Sequence, residues 1–233
     1  DEPIGCIDAP DSRGDLLAAT RSGFARLTPG ADGVVRRRLI ASPEADAHPG
    51  NRFNDGKRAP DGSFWAGTMD DAEVADTGAW WRLDPVSGEV RKMDDGYRVT
   101  NGPAFDPGNA RIYVTDSARQ TVYVASFDPL CGGSLVDKTT FLQFVDSDGY
   151  PDGMQVLPDG SLCIAFWDGA CLRRFSPDGD LIQTINLPVR RPTSLALAPE
   201  AQAIFVTSAS IGLEDDGRQG GLLQLRVESS SML

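Results

Sequence analysis

The stretch Arg-Phe-Asn-Asp-Gly-Lys-Arg-Ala-Pro-Asp-Gly-Ser-Phe-Trp-Ala-Gly-Thr-Met-Asp, residues 52–70, contains the pattern that decides the fold. Its second half is a Pro60-Asp61-Gly62 turn, followed by a short apolar strand that starts near Phe64. Its first half is a dense polar cluster. Because unpaired buried charge is costly, such a cluster beside a buried strand is typical of residues that line a cavity.

The turn-and-strand pattern of residues 60–68 recurs along the chain. The strands start near Leu16, Phe64, Ile112, Leu162 and Ile204, which are separated by 48, 48, 50 and 42 residues. A second strand follows each of them, and a third is clearest at residues 181–185. We expect the blade cores near Leu17, Trp65, Tyr113, Ile164 and Phe205. Three to four strands in a repeat of about fifty residues are typical of a β-propeller blade. A β-sandwich is the alternative all-β fold, but it does not explain this period.

The composition excludes several classes of partner. The 233 residues have a formal net charge of −12, which argues against binding to nucleic acid or to an anionic membrane. No apolar run reaches the roughly 20 residues of a transmembrane helix. The four cysteines lack Cys-x-x-Cys spacing, and free thiols in a reducing compartment are expected. We therefore expect a cytoplasmic protein with a small-molecule partner. The sequence leaves its oligomeric state open.

Four segments carry a resemblance to a known family. They are Arg-Phe-Asn-Asp-Gly-Lys (52–57), Phe-Trp-Ala-Gly-Thr-Met (64–69), Thr-Asn-Gly-Pro-Ala-Phe (100–105) and Pro-Asp-Gly-Met (151–154). In this order and at blade spacing, they resemble the SMP-30/gluconolactonase family, which includes the regucalcins. The resemblance implies a six-bladed propeller that hydrolyses sugar lactones with the help of a divalent cation.

The first blade of that family has no counterpart in this sequence. The family pattern opens with a Glu-Gly-Pro segment whose glutamate is a metal ligand, and residues 1–233 contain only about five blades. We expect residues 1–233 to form one N-terminally incomplete propeller domain that does not fold autonomously. A wedge-shaped opening should separate the first and last blades, with apolar side chains near Phe24 and Leu223 exposed in it.

Two polar residues occupy matching positions in successive repeats. Asn101 precedes Gly102 in the third repeat, and Asp152 precedes Gly153 in the fourth. Inner strands of a propeller face its central channel, so both side chains can converge on one axial point. A carboxylate, an amide oxygen and waters suit a hard divalent cation. The resemblance implies that Asn101 and Asp152 are metal ligands. Ca²⁺ is the expected ion, with Zn, Mn, Mg and Fe as alternatives.

The polar cluster one repeat earlier is expected to bind the substrate. By the resemblance, Arg52 and Asn54 hold the sugar, and a guanidinium suits the hydroxyls of a lactone or the carboxylate of its product. Asp55 and Lys57 are interpreted as a structural ion pair. The acidic substrate-binding residue of the family has no unambiguous match here. Its three candidates in this sequence are Asp70, Asp71 and Glu73.

The resulting hypothesis is metal-dependent hydrolysis of an aldonolactone to the aldonic acid in carbohydrate catabolism. The cation would polarise the lactone carbonyl, and Asp152 would also activate the attacking water as general base. A non-catalytic sugar- or calcium-binding module and a phosphotriesterase-type hydrolase are the alternatives. The single histidine, His48, excludes a His-based zinc site or a Ser-His-Asp triad. Trp65 and Trp167 are expected to pack between blades.

Overall fold

The computed structural model describes residues 2–127, 135, 137–198, 202–214 and 217–226. Cys131 lies outside these residues, and the other three cysteines are free thiols. The described residues form nineteen strands in five antiparallel sheets, four of them four-stranded and the last three-stranded. None of the helices in these ranges is long and apolar enough to cross a membrane.

Each sheet consists of strands that are consecutive in the chain. The first contains β1 (Ile4–Ile7), β2 (Leu16–Thr20), β3 (Gly23–Pro29) and β4 (Val35–Ala41). The second contains β5 (Asn51–Arg58), β6 (Phe64–Asp70), β7 (Gly78–Leu83) and β8 (Val90–Tyr97). The third contains β9 (Thr100–Asp106), β10 (Arg111–Asp116), β11 (Thr121–Ser126) and β12 (Thr139–Gln143).

The fourth sheet contains β13 (Tyr150–Val156), β14 (Leu162–Trp167), β15 (Cys171–Phe175) and β16 (Leu181–Asn186). The fifth contains β17 (Pro192–Ala198), β18 (Ala203–Ser208) and β19 (Leu222–Arg226). Three short 3-10 helices cover Pro107–Asn109, Ser117–Arg119 and Asp146–Asp148. The recurring strand of the sequence is the second strand of each sheet, and the all-β, five-bladed propeller expected for this chain is confirmed.

The first strands of the sheets pack side by side around the centre of the molecule. β1 contacts β5, β5 contacts β9, β9 contacts β13 and β13 contacts β17. Apolar side chains fill the space between consecutive sheets in four clusters. The expected core residues Leu17, Trp65, Tyr113 and Ile164 are all buried in these clusters.

The fifth blade core lies next to Phe205, as expected, but Phe205 itself is not its centre. Its neighbours Ile204 and Val206 are buried against the fourth sheet, and Phe205 is only partly buried. Side chains alternate between the two faces of a strand, so Phe205 lies on the face turned away from the fourth sheet.

The prediction that apolar side chains near Phe24 and Leu223 are exposed in an opening is wrong for these two residues. Phe24 is fully buried between the first two sheets, and Leu223 packs on the cluster between the last two.

Other apolar residues are exposed on the outward faces of the first and last sheets. The register places Ile7, Ala18, Ala25 and Leu39 in one row of the first sheet, on the face opposite Phe24. Ile7 and Leu39 are 55% and 44% exposed. Leu222 shares the outward face of the last sheet with Phe205 and is 67% exposed. None of the four described clusters joins these two sheets.

A β-bulge interrupts the pairing of every first strand at an equivalent place. The strand register shifts at Gly5, at Asn54, at Gly102–Pro103, at Asp152–Gly153 and at Thr193. A bulge leaves extra residues unpaired and re-aims their side chains. Gly102 has φ near +90°, a conformation that favours glycine. The repeated bulge thus brings a small set of residues to the centre of the propeller.

Candidate active site

One cavity of about 680 Å³ collects the four residues that the sequence singled out: Arg52, Asn54, Asn101 and Asp152. They come from β5, β9 and β13, the first strands of three successive sheets. Asn54 and Asp152 are bulge residues, and Asn101 immediately precedes a bulge. The volume is within the usual range of small-molecule sites.

Arg52, Asn54 and Asn101 form one hydrogen-bonded row along the cavity. Arg52 Nη1 donates to Asn54 Oδ1 at 2.7 Å, and Asn54 Nδ2 donates to Asn101 Oδ1 at 3.0 Å. Asn54 Nδ2 also donates to the carbonyl oxygen of Thr100 at 2.8 Å. This row fixes the amide of Asn101, so that its oxygen faces Asn54 and its nitrogen faces the other way.

Ser117 connects Asn101 to the strand that carries Asp152. Asn101 Nδ2 donates to Ser117 Oγ at 2.8 Å, and Ser117 Oγ donates to the carbonyl oxygen of Pro151. Ser117 begins the short 3-10 helix after β10, and it is buried. Nothing in the sequence singles out Ser117, because a single serine after a strand has no distinguishing pattern.

Two acidic side chains lie close together beside this row. Burial raises the pKa of Asp152 well above its usual range, and the nearby Asp55 carboxylate adds to the shift. Burial also raises the pKa of Asp55 to about 6, although its carboxylate accepts hydrogen bonds from the backbone nitrogens of Gly56 and Gly102. Neither carboxylate belongs to an ion pair of the described residues. The nearby Lys57 ammonium acts on Asp55 in the opposite direction and lowers its pKa, so the ionised forms are disfavoured mainly by burial.

Lys57 does not form the expected ion pair with Asp55. Its ammonium instead donates to the carbonyl oxygen of Met154 at 2.7 Å and to Gln155 Oε1 at 3.0 Å. Lys57 thereby joins β5 of the second sheet to β13 of the fourth. Burial lowers its pKa, and the Asp55 charge acts in the opposite direction. A long side chain that reaches a more distant blade was not predictable from local sequence.

The three acidic candidates after β6 differ in their surroundings. Asp70 accepts hydrogen bonds from the backbone nitrogens of its own turn, at residues 72, 74 and 75. Asp71 pairs with Arg52 Nε at 2.8 Å and also with Arg21. Glu73 lines the cavity, and its backbone is left-handed with φ near +58°.

The two tryptophans also differ. Trp65 is fully buried between the second and third sheets, as expected. Trp167 is only partly buried and lines the cavity, so the expectation that it packs between blades is wrong. The Arg191 guanidinium lies 4.8 Å from its ring centroid, and Asp168 holds Arg191 with hydrogen bonds of 2.9 and 3.2 Å. Trp167 is the last residue of β14, and it lies at the cavity and not between two sheets.

The arrangement presents hydrogen-bonding side chains and oxygen donors around one cavity. Within the described ranges no group of three or more His, Cys, Asp or Glu side chains could hold a metal ion. The available oxygen donors are the Asn101 amide and the Asp152 and Asp55 carboxylates. Oxygen donors suit Ca²⁺, Mg²⁺ or Mn²⁺ better than softer metals.

Comparison with known proteins gives a consistent result. Residues 1–210 match the family model described as the SMP-30/gluconolactonase/LRE-like region. The chain is 32% identical to a 6-deoxy-6-sulfogluconolactonase of Pseudomonas putida, with 89% of this chain and 69% of that protein covered. It is 31% identical to an L-arabinolactonase of Azospirillum brasilense, with 92% and 70% covered. The structure of regucalcin from Agrobacterium tumefaciens, a calcium-binding protein, superposes with a TM-score of 0.85 at 26% identity, covering 96% of this chain and 76% of that one.

Proposed function

The chain belongs to the SMP-30/gluconolactonase/LRE-like family, and from this premise we propose that it hydrolyses a sugar lactone with a bound divalent cation. The enzyme class expected from the sequence, a hydrolase of carboxylic esters, is confirmed by the lactonases among its relatives. The observation that carries the proposal is the single cavity that collects Arg52, Asn54, Asn101 and Asp152.

The donor set fits a hard cation. Burial raises the pKa of both Asp55 and Asp152, the Asp55 charge adds to the shift at Asp152, and neither carboxylate forms an ion pair among the described residues. A divalent ion held by Asp152 and the amide oxygen of Asn101 would offset this charge. When bound, such an ion supplies Lewis-acid polarisation of the lactone carbonyl. We propose Ca²⁺ as that ion.

The residues of the chain then have separate roles. Asp152 takes the proton of the attacking water, for which its carboxylate has to be ionised, and a divalent cation held by Asp152 would favour the ionised form. Arg52 and Asn54, held against each other and against Asn101, hydrogen-bond the sugar hydroxyls and fix the ring. Trp167 offers an aromatic face to the apolar side of the sugar ring.

We also infer that a sixth sheet completes the ring. This inference is supported by exposed apolar side chains on the outward faces of the first and last sheets, namely Ile7, Leu39 and Leu222, because closed propellers bury such faces. By the family resemblance, the sixth sheet would add an acidic ligand to Asn101 and Asp152. At the bulge of the first sheet Gly5 supplies no side chain, so that ligand has to come from elsewhere.

Proton release during lactone hydrolysis tests the proposed function. Glucono-, xylono- and arabinonolactone should be hydrolysed, EDTA should abolish turnover, and Ca²⁺ should restore it. Turnover that survives EDTA would refute the metal dependence. If the protein binds Ca²⁺ and aldonates but hydrolyses none of these lactones, the non-catalytic binding module becomes the better description.

A further inference from the structure

Two arginines of the cavity are anchored in the same way. Arg52 Nε donates to Asp71 at 2.8 Å, and Arg98 Nε donates to Asp76 at 2.9 Å. Both aspartates belong to the loop between β6 and β7, and both arginines line the cavity. Arg52 was expected from the sequence as a sugar-binding residue, whereas Arg98, which directly follows β8, was not singled out.

A network that ends at a buried carboxylate holds Arg98 in place. Asp76 also accepts a hydrogen bond from Arg119 Nη2 at 2.6 Å, and Arg119 Nη1 donates to Asp116 at 2.6 Å. Asp116 is completely buried and accepts a further hydrogen bond from the backbone nitrogen of Arg98 at 3.0 Å. Both the backbone and the guanidinium of Arg98 are therefore fixed before any ligand arrives, which reduces the entropic cost of binding.

The outer edge of the Arg98 guanidinium is free to bind an anion. Among the contacts of the described residues, only its Nε has a side-chain partner, and Nη1 and Nη2 have none. The side chain is 39% exposed. Two parallel N–H groups match the oxygens of a phosphate, sulfonate or carboxylate, and such charge-assisted hydrogen bonds are about twice as strong as neutral ones.

The other charges of the cavity determine which part of a ligand Arg98 could hold. The proposed reaction centre at Asn101 and Asp152 takes the lactone carbonyl, so an anionic group on a remote carbon has to meet a different part of the cavity. The chain as a whole has a net charge of −12, and any attraction for an anion has to be local. Glu73 also lines the cavity and opposes an anion, but its side chain is exposed to solvent, which screens its charge.

We propose that Arg98 forms an anion subsite, and that the preferred substrates are sugar lactones with an anionic group on the carbon remote from the lactone carbonyl. This proposal rests on the proposed lactonase function and specifies its substrate class. The shared chemistry is a tetrahedral or planar oxyanion, and separate phosphate, sulfonate and carboxylate substrates distinguish its sources.

Calorimetric titration with product aldonates tests the subsite without requiring turnover. Gluconate and 6-phosphogluconate share the carboxylate from the lactone and differ only in the remote phosphate. The protein should bind 6-phosphogluconate at least about tenfold more tightly. In Arg98→Gln the two dissociation constants should become equal within about twofold, and Arg98→Lys should retain part of the preference. Glu73→Gln should increase the preference.

Arg91→Gln is the matched control, because Arg91 is an exposed arginine on β8 that pairs with Glu89 and does not line the cavity. It should leave the preference intact. Equal binding of the two aldonates by the unmodified protein, binding of neither, or a preference that survives Arg98→Gln would overturn the proposal.

Turnover separates failure of the subsite from failure of the proposed function. The kcat/KM values for 6-phospho-, 6-sulfo- and 6-carboxyl lactones should exceed that for gluconolactone, and Arg98→Gln should remove this advantage. If neutral and anionic lactones are hydrolysed equally well, the function stands and the subsite is refuted. If no lactone is hydrolysed while 6-phosphogluconate still binds through Arg98, the subsite stands and the lactonase function is refuted.

Discussion

The surroundings of Asp152 disfavour the charged form that its proposed role requires. Its carboxylate is enclosed beside Asp55, which destabilises the charged form, yet the proposed reaction needs that charged form as ligand and base. Functional carboxylates are often held in surroundings that shift their pKa in this way. Asp152 should therefore be costly for stability and indispensable for activity.

The Asp152→Asn variant tests whether Asp152 is indispensable for activity. The change removes a negative ligand and the proposed base together, so kcat should fall by roughly a thousandfold or more. Arg52→Ala should instead act mainly on KM, because Arg52 positions the sugar. Lactone hydrolysis followed by proton release measures both effects. Full turnover by Asp152→Asn would end the general-base proposal.

The pH dependence of stability tests whether the enclosed carboxyl groups destabilise the folded protein. A carboxyl group whose pKa is higher in the folded state binds its proton more tightly there, so stability falls as the pH rises from about 4 through the raised value. The metal-free protein should therefore lose stability between pH 5 and pH 7.5.

Asp55, with its pKa near 6, should account for on the order of 1–2 kcal/mol of this loss, allowing for solvent in the cavity. Urea unfolding in EDTA at the two pH values measures it. In the Asp55→Asn variant, the free energy of unfolding should depend less on pH, and the protein should be more stable at pH 7.5. A stability that rises over this interval in the unmodified protein, or an unchanged slope in Asp55→Asn, would contradict this account.

Two of the site residues that the sequence identified, Asn101 and Asp152, occupy matching places in a repeat, and that recurrence distinguished them from ordinary turn residues. Ser117 and Arg98 have no such recurrence, and only the folded chain brings them to the cavity. Trp167 was expected between blades, because its local sequence does not show that its strand ends at the cavity. Lys57 was recognised but misinterpreted, because its partners lie about a hundred residues further along the chain.

At the scale of elements, the β-bulge is the feature that creates the site. Each first strand has one at the same place, and Asn54 and Asp152 occupy two of them. The second strand of each sheet was predictable, because turn residues precede a short apolar run. The bulges were not predictable, because pairing register depends on the neighbouring strand as well as on local sequence.

Ser117 tests how neighbouring elements hold the site. It joins Asn101 on β9 to Pro151 on β13, and Ser117→Ala removes both hydrogen bonds. Asn101 Nδ2 would lose its partner, and Ca²⁺ affinity should fall about tenfold. Ser126→Ala is the control, because Ser126 Oγ bonds only Asp137 at an exposed position, and calcium titration should detect no change there. Equal affinities in the two variants would show that the Ser117 link does not position the ligands.

At the scale of the whole molecule, five sheets are packed through four described clusters, and some apolar side chains on the outward faces of the first and last sheets are exposed. The opening between the first and last blades stays a prediction, whereas the period of the repeat correctly predicted the five blades. The period did not predict which face each residue occupies, and therefore Leu39 and Leu222 line the outward faces instead of Phe24 and Leu223.

The apolar outward faces give a prediction for residues 1–233 expressed alone. The protein should self-associate and bind a hydrophobic dye, because exposed apolar patches of this kind mediate association. Leu39→Gln combined with Leu222→Gln should reduce both. Val86→Gln, at a residue that is 95% exposed outside these faces, is the control and should reduce neither. A protein that is monomeric without these substitutions and melts cooperatively would argue against an additional sheet.

The central claim is that Asn101 and Asp152 converge on one cation inside the cavity. Anomalous diffraction from crystals grown with Mn²⁺ tests it most directly, because the ion is located independently of any assumed ligand. The account predicts a single strong peak within roughly 2.0–2.6 Å of Asn101 Oδ1 and of a carboxylate oxygen of Asp152. A peak elsewhere, or side-chain oxygens of Asn101 and Asp152 that point to opposite ends of the channel, would contradict it.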